Sequence, residues 1–201
     1  MQKGLAGCVL IAATSILAFH PQGTQNKEGT GNERVIQDEA LLGDSIVEET
    51  GSTIPVTWVA TIDGDTIKVR VDGNIETVRY LLIDTPESKK PGMCVQPFAM
   101  EAFQRNEELV RAGNITLEME NGNDRDSYGR LLAYVFVKGK SVQETLLKEG
   151  FARVVYIIHP PYRYIDRYQE DENLAKKEKR NIWGKVNYVT QSGFSGCITM
   201  K

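Results

Sequence analysis

Between Val56 and Val137 the chain runs in short stretches that alternate apolar and polar residues, several of them closed by turn-forming clusters of Asp, Gly or Asn. Val56, Trp58 and Ala60 alternate with Thr57 and Thr61, and Ile67, Val69 and Val71 alternate with Lys68 and Arg70. Asp72-Gly73-Asn74 then turns the chain into a third run, Ile75 to Ile83. Ile115, Leu117 and Met119 alternate with Thr116 and Glu118, and a last run from Leu131 to Val137 ends at Lys138-Gly139-Lys140. A period of two buries one face of a strand and leaves the other wet. Strands of a doubly wound sheet are buried on both faces and read as continuous apolar runs, so that architecture fits poorly. About five half-buried strands predict a small barrel, in an α+β, mainly β fold.

Three helices are expected among these strands. The first runs from about Phe98 to Arg111, with Ala99, Ala102, Phe103 and Val110 on one face and Gly113 as a stop. The second opens with Ser141-Val142-Gln143-Glu144, where serine and glutamate three positions apart can satisfy each other's backbone donors, and Gly150 ends it. The third, from about Ile165 to Lys179, turns Ile165, Tyr168 and Ala175 inward and leaves a charged outer face.

The 201 residues suffice for one domain with appendages. Lys3 precedes an apolar run from Leu5 to Phe19, short for a membrane span and suited to the core of a signal peptide. Residues 1–19 therefore read as a signal peptide, cleaved near Ala18, or as an N-terminal anchor. Leu5-Ala6-Gly7-Cys8 has the form of a lipoprotein box, yet the apolar run lies mostly after Cys8, which favours an ordinary signal residue. Residues 20–53, rich in Gln, Asn, Glu, Gly and Thr, predict a disordered acidic linker, and 54–201 the folded domain. The expected location is outside the cell, secreted or tethered to the outer face of the membrane. Residues 1–53 hold three basic and seven acidic residues, a net charge of −4. The remainder then holds 21 basic against 20 acidic, a net of +1, so an acidic chain can still meet a polyanion.

Two of the turns are acidic. Ile62-Asp63-Gly64-Asp65-Thr66 ends one run, and Arg79-Tyr80-Leu81-Leu82-Ile83-Asp84-Thr85-Pro86-Glu87 ends the run after the next hairpin. Asp65 and Asp84 stand at strand ends on either side of that hairpin and can point at one spot, and hard divalent cations select such oxygen donors. Asp63-Gly64-Asp65 alone would be a polar turn; the company of Arg79 and Glu87 changes its meaning. Arg79 sits in an apolar run with Leu81 and Ile83 on its own face, an odd place for a solvated charge. Guanidiniums at Arg79 and Arg130 suit the charge that gathers on phosphoryl oxygens under attack. Pro86 holds the loop bearing Glu87 extended. With only His20 and His159, histidine-rich zinc sites and Ser-His-Asp triads lack parts, and Gly-Lys-Thr loops and Cys-x-x-Cys pairs are missing from the sequence. Of Cys8, Cys94 and Cys197, the last two would form one disulfide in an exported protein, or remain free thiols.

These acidic turns, together with Asp126-Ser127-Tyr128-Gly129-Arg130 and the segment Ala175 to Trp183, resemble the staphylococcal nuclease (thermonuclease) family, in order and from about Val56 to about Gly184. Cys94-Val95-Gln96-Pro97-Phe98 and Gly193-Phe194-Ser195-Gly196-Cys197 are most similar to its secreted Bacillus-type endonucleases. The resemblance implies a five-stranded OB-fold barrel with about three helices. It implies calcium held by Asp65, Asp84 and the Thr85 carbonyl with Asp63 behind them, Glu87 as the base that activates or orients water, and Arg79 and Arg130 as phosphate clamps. Tyr128 and Tyr156 match positions that bind the nucleotide. The implied activity is endonucleolytic hydrolysis of DNA and RNA with little sequence preference by a monomer, leaving 3′-phosphates. Two positions depart from the family: Ser127 replaces a phosphate-binding lysine, and Ile158 a base-contacting tyrosine. A non-catalytic OB-fold module that binds single strands is the alternative, although loss of Glu87 or an arginine would have signalled it.

Overall fold

A long first strand organises the domain. In this computed structural model, which describes residues 53–89, 92, 94–120, 122 and 124–198, β1 (Thr53–Asp63) serves two neighbours in succession. Its first four residues pair antiparallel with β4 (Ile115–Met119), and Thr57 to Asp63 pair with β2 (Thr66–Val71). Register shifts between Trp58 and Ala60 and between Thr61 and Asp63 interrupt the second ladder, and such irregularities bend a strand. β2 pairs antiparallel with β3 (Asn74–Tyr80), and β4 with β5 (Leu131–Val137). The parallel pairing of Val78, Arg79 and Tyr80 with Leu131, Leu132 and Ala133 then closes the ring. The result is the expected closed five-stranded barrel, in which closure removes exposed sheet edges. The expected leader, and the expected linker up to residue 52, lie outside the described residues, while Thr53, expected as the linker's last residue, begins β1.

Inside, Ile67, Val69, Val78, Leu117, Ala133 and Val135 are buried, with Leu146 and Leu147 of a helix joining the same core. The helices are α1 (Ala99–Arg111), α2 (Val142–Lys148) and α3 (Ile165–Lys177), close to their expected bounds. Gly150, at a φ of 74° that few other residues tolerate, ends the second. Only half of its expected N-terminal box forms as read: the Ser141 hydroxyl accepts the Glu144 N–H at 3.2 Å, while Glu144 turns its carboxylate to Lys148 at 2.8 Å. Tyr134, Tyr164 and Tyr168 pack edge to face or stacked with centroids 4.7–6.1 Å apart, so these tyrosines are structural.

The third run differs from its expected extent. It leaves the barrel at Tyr80, turns through Leu81 and Leu82, and resumes as Ile83–Asp84 paired antiparallel with Arg153–Val154. Leu82 takes a φ of 65°, a left-handed conformation that costs an L-residue about 1–2 kcal/mol. Hydrogen bonds hold the turn there: the Leu81 N–H donates to the Ala133 carbonyl at 3.0 Å and the Val155 N–H to the Leu82 carbonyl at 2.9 Å.

Beside this turn, the buried Gln143 of α2 bridges two residues of β5. Its amide accepts the Val135 N–H at 3.0 Å and donates to the Ala133 carbonyl at 3.1 Å. Gln143→Ala strands a buried backbone donor and weakens the satisfaction of an acceptor, and should cost about 2 kcal/mol or more. Urea unfolding checks this; a shift below about 0.5 kcal/mol would mean that the backbone finds other partners.

Candidate active site

The turn at Leu82 decides which side chains meet. Along a straight strand Arg79 and Asp84, five positions apart, would face opposite sides. The left-handed turn brings them back together: Arg79 donates through Nη1 to the carbonyls of Ile83 at 2.8 Å and Tyr80 at 3.1 Å, and through Nη2 to Asp84 Oδ1 at 3.3 Å. Arg79 is 8% exposed, so the oddity in its sequence position is a buried cation wrapped around the turn that bears its partner.

Asp65 arrives from the turn between β1 and β2. Its Oδ2 lies 3.2 Å from Arg79 Nη1 and accepts from the Thr85 N–H at 3.0 Å and hydroxyl at 3.1 Å, while Oδ1 accepts the Thr66 hydroxyl at 2.9 Å. Asp63 accepts from its neighbour Gly64 and from the Ser88 hydroxyl, each at 2.9 Å. Burial, then the adjacent Asp65 charge, raises the Asp63 carboxyl above its usual range; Asp84 is raised for the same two reasons, against the pull of Arg79 and Arg153. Burial disfavours the Arg79 charge, but Asp65 and then Asp84 outweigh it and hold the guanidinium protonated. The three aspartates, Asp65 buried and Asp63 and Asp84 half-buried, thus form a crowded set of hard oxygen donors. Among the described residues no three His, Cys, Asp or Glu side chains close a metal site by themselves, so an ion here would complete its shell with backbone oxygen and water.

Glu87 lies across the same cleft, whose volume is about 620 Å³ and whose walls include Asp65, Arg79, Asp84, Arg130, Tyr128 and Tyr156. Its peptide is held on both sides by Gln96, whose side-chain oxygen accepts the Glu87 N–H at 2.8 Å and whose N–H donates to the Glu87 carbonyl at 3.1 Å. Arg130 is braced by Asp126 through Nε at 2.6 Å. Each guanidinium faces an aromatic ring: Arg130 lies 5.5 Å from the centre of Tyr128 and Arg79 5.6 Å from that of Tyr156. Tyr128 is 85% and Tyr156 54% exposed, an unusual presentation of ring faces to solvent. Ser127 and Ile158, the two departures from the family, both line an adjoining pocket of about 320 Å³ beside these tyrosines.

All the candidate catalytic, metal and substrate residues therefore come together, whereas Cys94 and Cys197 sit apart from the cleft wall as a disulfide with Cα atoms 5.6 Å apart. Thr85 enters through its N–H and hydroxyl on Asp65, contacts that the sequence reading did not anticipate. Sequence reasoning also missed three buried supports. Asn106 of α1 donates to the Asp63 carbonyl at 2.9 Å and accepts the Tyr80 hydroxyl at 2.7 Å. Arg153 places Nε and Nη2 on Asp84 Oδ2 at 3.0 and 2.9 Å. Gln96 is the third. Arg153 carried the same signal as Arg79, an arginine within an apolar run, here between Ala152 and Val154.

The close approach of the two acidic turns requires Gly64. A Cβ there would lie 2.6 Å from Thr85 Oγ1 and 2.9 Å from Ala102 Cβ. Gly64→Ala must displace Thr85 from Asp65 and should cost about 1–3 kcal/mol. Thermal unfolding of that variant tests the fit, and wild-type stability would contradict it.

A model of the staphylococcal nuclease homologue family matches residues 77–185. The chain is 59% identical over 148 residues to the SPbeta prophage-derived endonuclease YokF of Bacillus subtilis (strain 168), which covers 74% of this chain and 50% of that protein, so it spans about half the length of that relative. It is 46% identical to endonuclease YncB of the same strain over an alignment of 210 positions, 98% of this chain and 100% of the relative. Thermonuclease of Staphylococcus hyicus is 38% identical over 125 residues, 62% of this chain and 73% of that one. A barrel of this topology, matched by the family model over more than half its length, makes this chain a member of the staphylococcal nuclease homologue family.

Proposed function

We propose that the chain is a calcium-dependent endonuclease that hydrolyses DNA and RNA and leaves 3′-phosphate ends. What carries this is the convergence of Asp65, Asp84, Glu87, Arg79 and Arg130 on one open cleft. Nuclease activity is further supported by relatives named as endonucleases at 46–59% identity.

The donor chemistry fits a hard cation. Asp65, Asp84 and the Thr85 carbonyl would hold calcium, with Asp63 behind them; zinc and copper prefer the imidazole and thiolate that the cleft wall lacks. When bound, the ion supplies Lewis-acid polarisation of a phosphoryl oxygen. Arg79 uses its donors here on Asp65, Asp84 and two carbonyls; with calcium held by those carboxylates, its outer donors would be left for phosphate. Glu87 takes a proton from the attacking water, the water oxygen bonds to phosphorus, and the bond to the 5′ oxygen breaks as that oxygen takes a proton from solvent in the open cleft. Arg79 and Arg130 answer the charge on the equatorial oxygens as it builds. Tyr128 and Tyr156 offer ring faces on which any base can stack, and guanidiniums read phosphate rather than base edges, which accounts for low sequence preference. The disulfide suits an oxidising compartment, in keeping with export through the leader.

Digestion of denatured DNA and of RNA with calcium, with chelator and with zinc tests the proposal: cleavage is expected with calcium alone, with 3′-phosphates on the products. Arg79→Ala, Arg130→Ala and Glu87→Gln should each reduce turnover by at least about a hundredfold, or roughly 3 kcal/mol of barrier, in folded protein. Full activity in chelator overturns the metal assignment. Single-strand binding without cleavage would instead identify a binding module.

A further inference from the structure

We propose that the C-terminal hairpin is a positioning element of the active site, acting through Arg153 on Asp84 and through Gln96 on the Glu87 loop. This rests on the nuclease reading above and goes beyond it, because none of the catalytic or ligand roles involves the chain after Tyr156.

The hairpin pairs Val189–Thr190 with Gly193–Phe194. Two buried side chains lead from it to the cleft. Arg153, 7% exposed, directs Nη1 to the carbonyls of Thr190 at 2.8 Å and Gln191 at 3.2 Å, and directs Nε and Nη2 to Asp84 Oδ2. Its guanidinium also lies 5.3 Å from the centre of the Phe194 ring. A planar guanidinium held at three sides cannot rotate, so it fixes which Asp84 oxygen stays committed and leaves Oδ1 facing Arg79. Without the hairpin carbonyls Arg153 would keep only Asp84, and a buried charge with unfilled donors would be free to swing. Gln96 makes the second connection. It grips both backbone groups of Glu87, and its amide donates onward to the Phe194 carbonyl at 2.9 Å.

The hairpin is itself fastened on the far side. The Tyr188 hydroxyl donates to the Pro97 carbonyl, the Ile198 N–H donates to the Val95 carbonyl at 2.8 Å, and Cys197 is bonded to Cys94, two residues before Gln96. Tyr188 packs against Phe98 and Phe194 with centroids 5.8 and 5.6 Å away. The tail thus docks by aromatic burial as well as by the disulfide. One rigid body sets the angle of a proposed metal carboxylate and the loop of the proposed base. Groups that orient ligands from behind are commonly worth 10- to 100-fold in affinity or activity.

The test uses the full chain with Arg153→Lys, Gln96→Leu, and Val137→Ala as a control whose stability loss arises in the core at the C-terminal end of β5. Calcium binding by titration calorimetry, kcat, KM and Tm are measured on each. Arg153→Lys retains charge without the three-sided grip, and should weaken calcium binding by about tenfold or more and raise the calcium needed for half-maximal cleavage in parallel. Gln96→Leu should lower kcat by about tenfold or more with calcium affinity unchanged and KM within about twofold. Reduction of the disulfide should move both quantities in the same directions by less. Val137→Ala should lower Tm while leaving kcat and calcium affinity as in wild type. Wild-type calcium affinity in Arg153→Lys together with wild-type kcat in Gln96→Leu overturns the proposal, as do losses that merely follow Tm along the Val137→Ala line. An inactive wild type overturns the nuclease reading itself.

Discussion

A guanidinium buried between two carboxylates is the interaction on which the rest of the site depends. Taking Arg79 out of water costs several kcal/mol, and Asp65 and Asp84 repay that only because both sit within 3.3 Å of it. Two carboxylates against one guanidinium leave an excess of negative charge, which Arg153 reduces and Asp63 and Glu87 increase. Burial first, and the neighbouring Asp65 charge second, raise the proton affinities of the Asp63 and Asp84 carboxylates. A cleft that concentrates buried oxygen donors yet stays open to solvent suits a cation and a phosphate together. On the proposed reading, the charges that face one another here would serve as ligands and clamps when both are bound.

The barrel contributes the geometry that makes this crowding tolerable. Closure through the parallel contact of β3 with β5 holds Tyr80 beside Ala133, and the Leu82 turn follows directly on that contact. Strain at a single left-handed leucine thereby converts a strand, which would separate Arg79 from Asp84, into a loop that joins them. Gly64 permits the partner turn to approach, and Asn106 fixes its backbone from α1. Rigid elements on three sides, and the fastened C-terminal hairpin on the fourth, leave the acidic turns few alternative arrangements.

Much of this was legible in the sequence. Alternation with a period of two located three of the barrel strands, turn clusters bounded the other two, and glycine stops and a serine cap located the helices. The strand that continued on paper to Ile83 breaks at Tyr80, because Leu81 and Leu82 are apolar and nothing in their type announces a positive φ. Their partners, Ala133 and Val155, lie 50 or more residues away in the chain. Asp65, Asp84, Glu87 and the two arginines were found as types at informative spacings and by family resemblance. Gln96 and Asn106 were not, since a buried amide gains meaning only when its distant partners are known; Arg153 was missed although it sits in an apolar run as Arg79 does. Glu144 shows the opposite error: its local spacing promised a reciprocal cap, but Lys148, a turn along the helix, offered its carboxylate a charged partner.

The central claim is that Asp65 and Asp84 together form the cation site of the cleft that Arg79, Arg130 and Glu87 line. Titration calorimetry of calcium into the wild-type chain and into the folded Asp65→Asn/Asp84→Asn double variant addresses it directly, without relying on turnover. The account predicts one calcium site in the wild type and its loss in the double variant. Calcium affinity unchanged in that variant would contradict it and place the ion elsewhere.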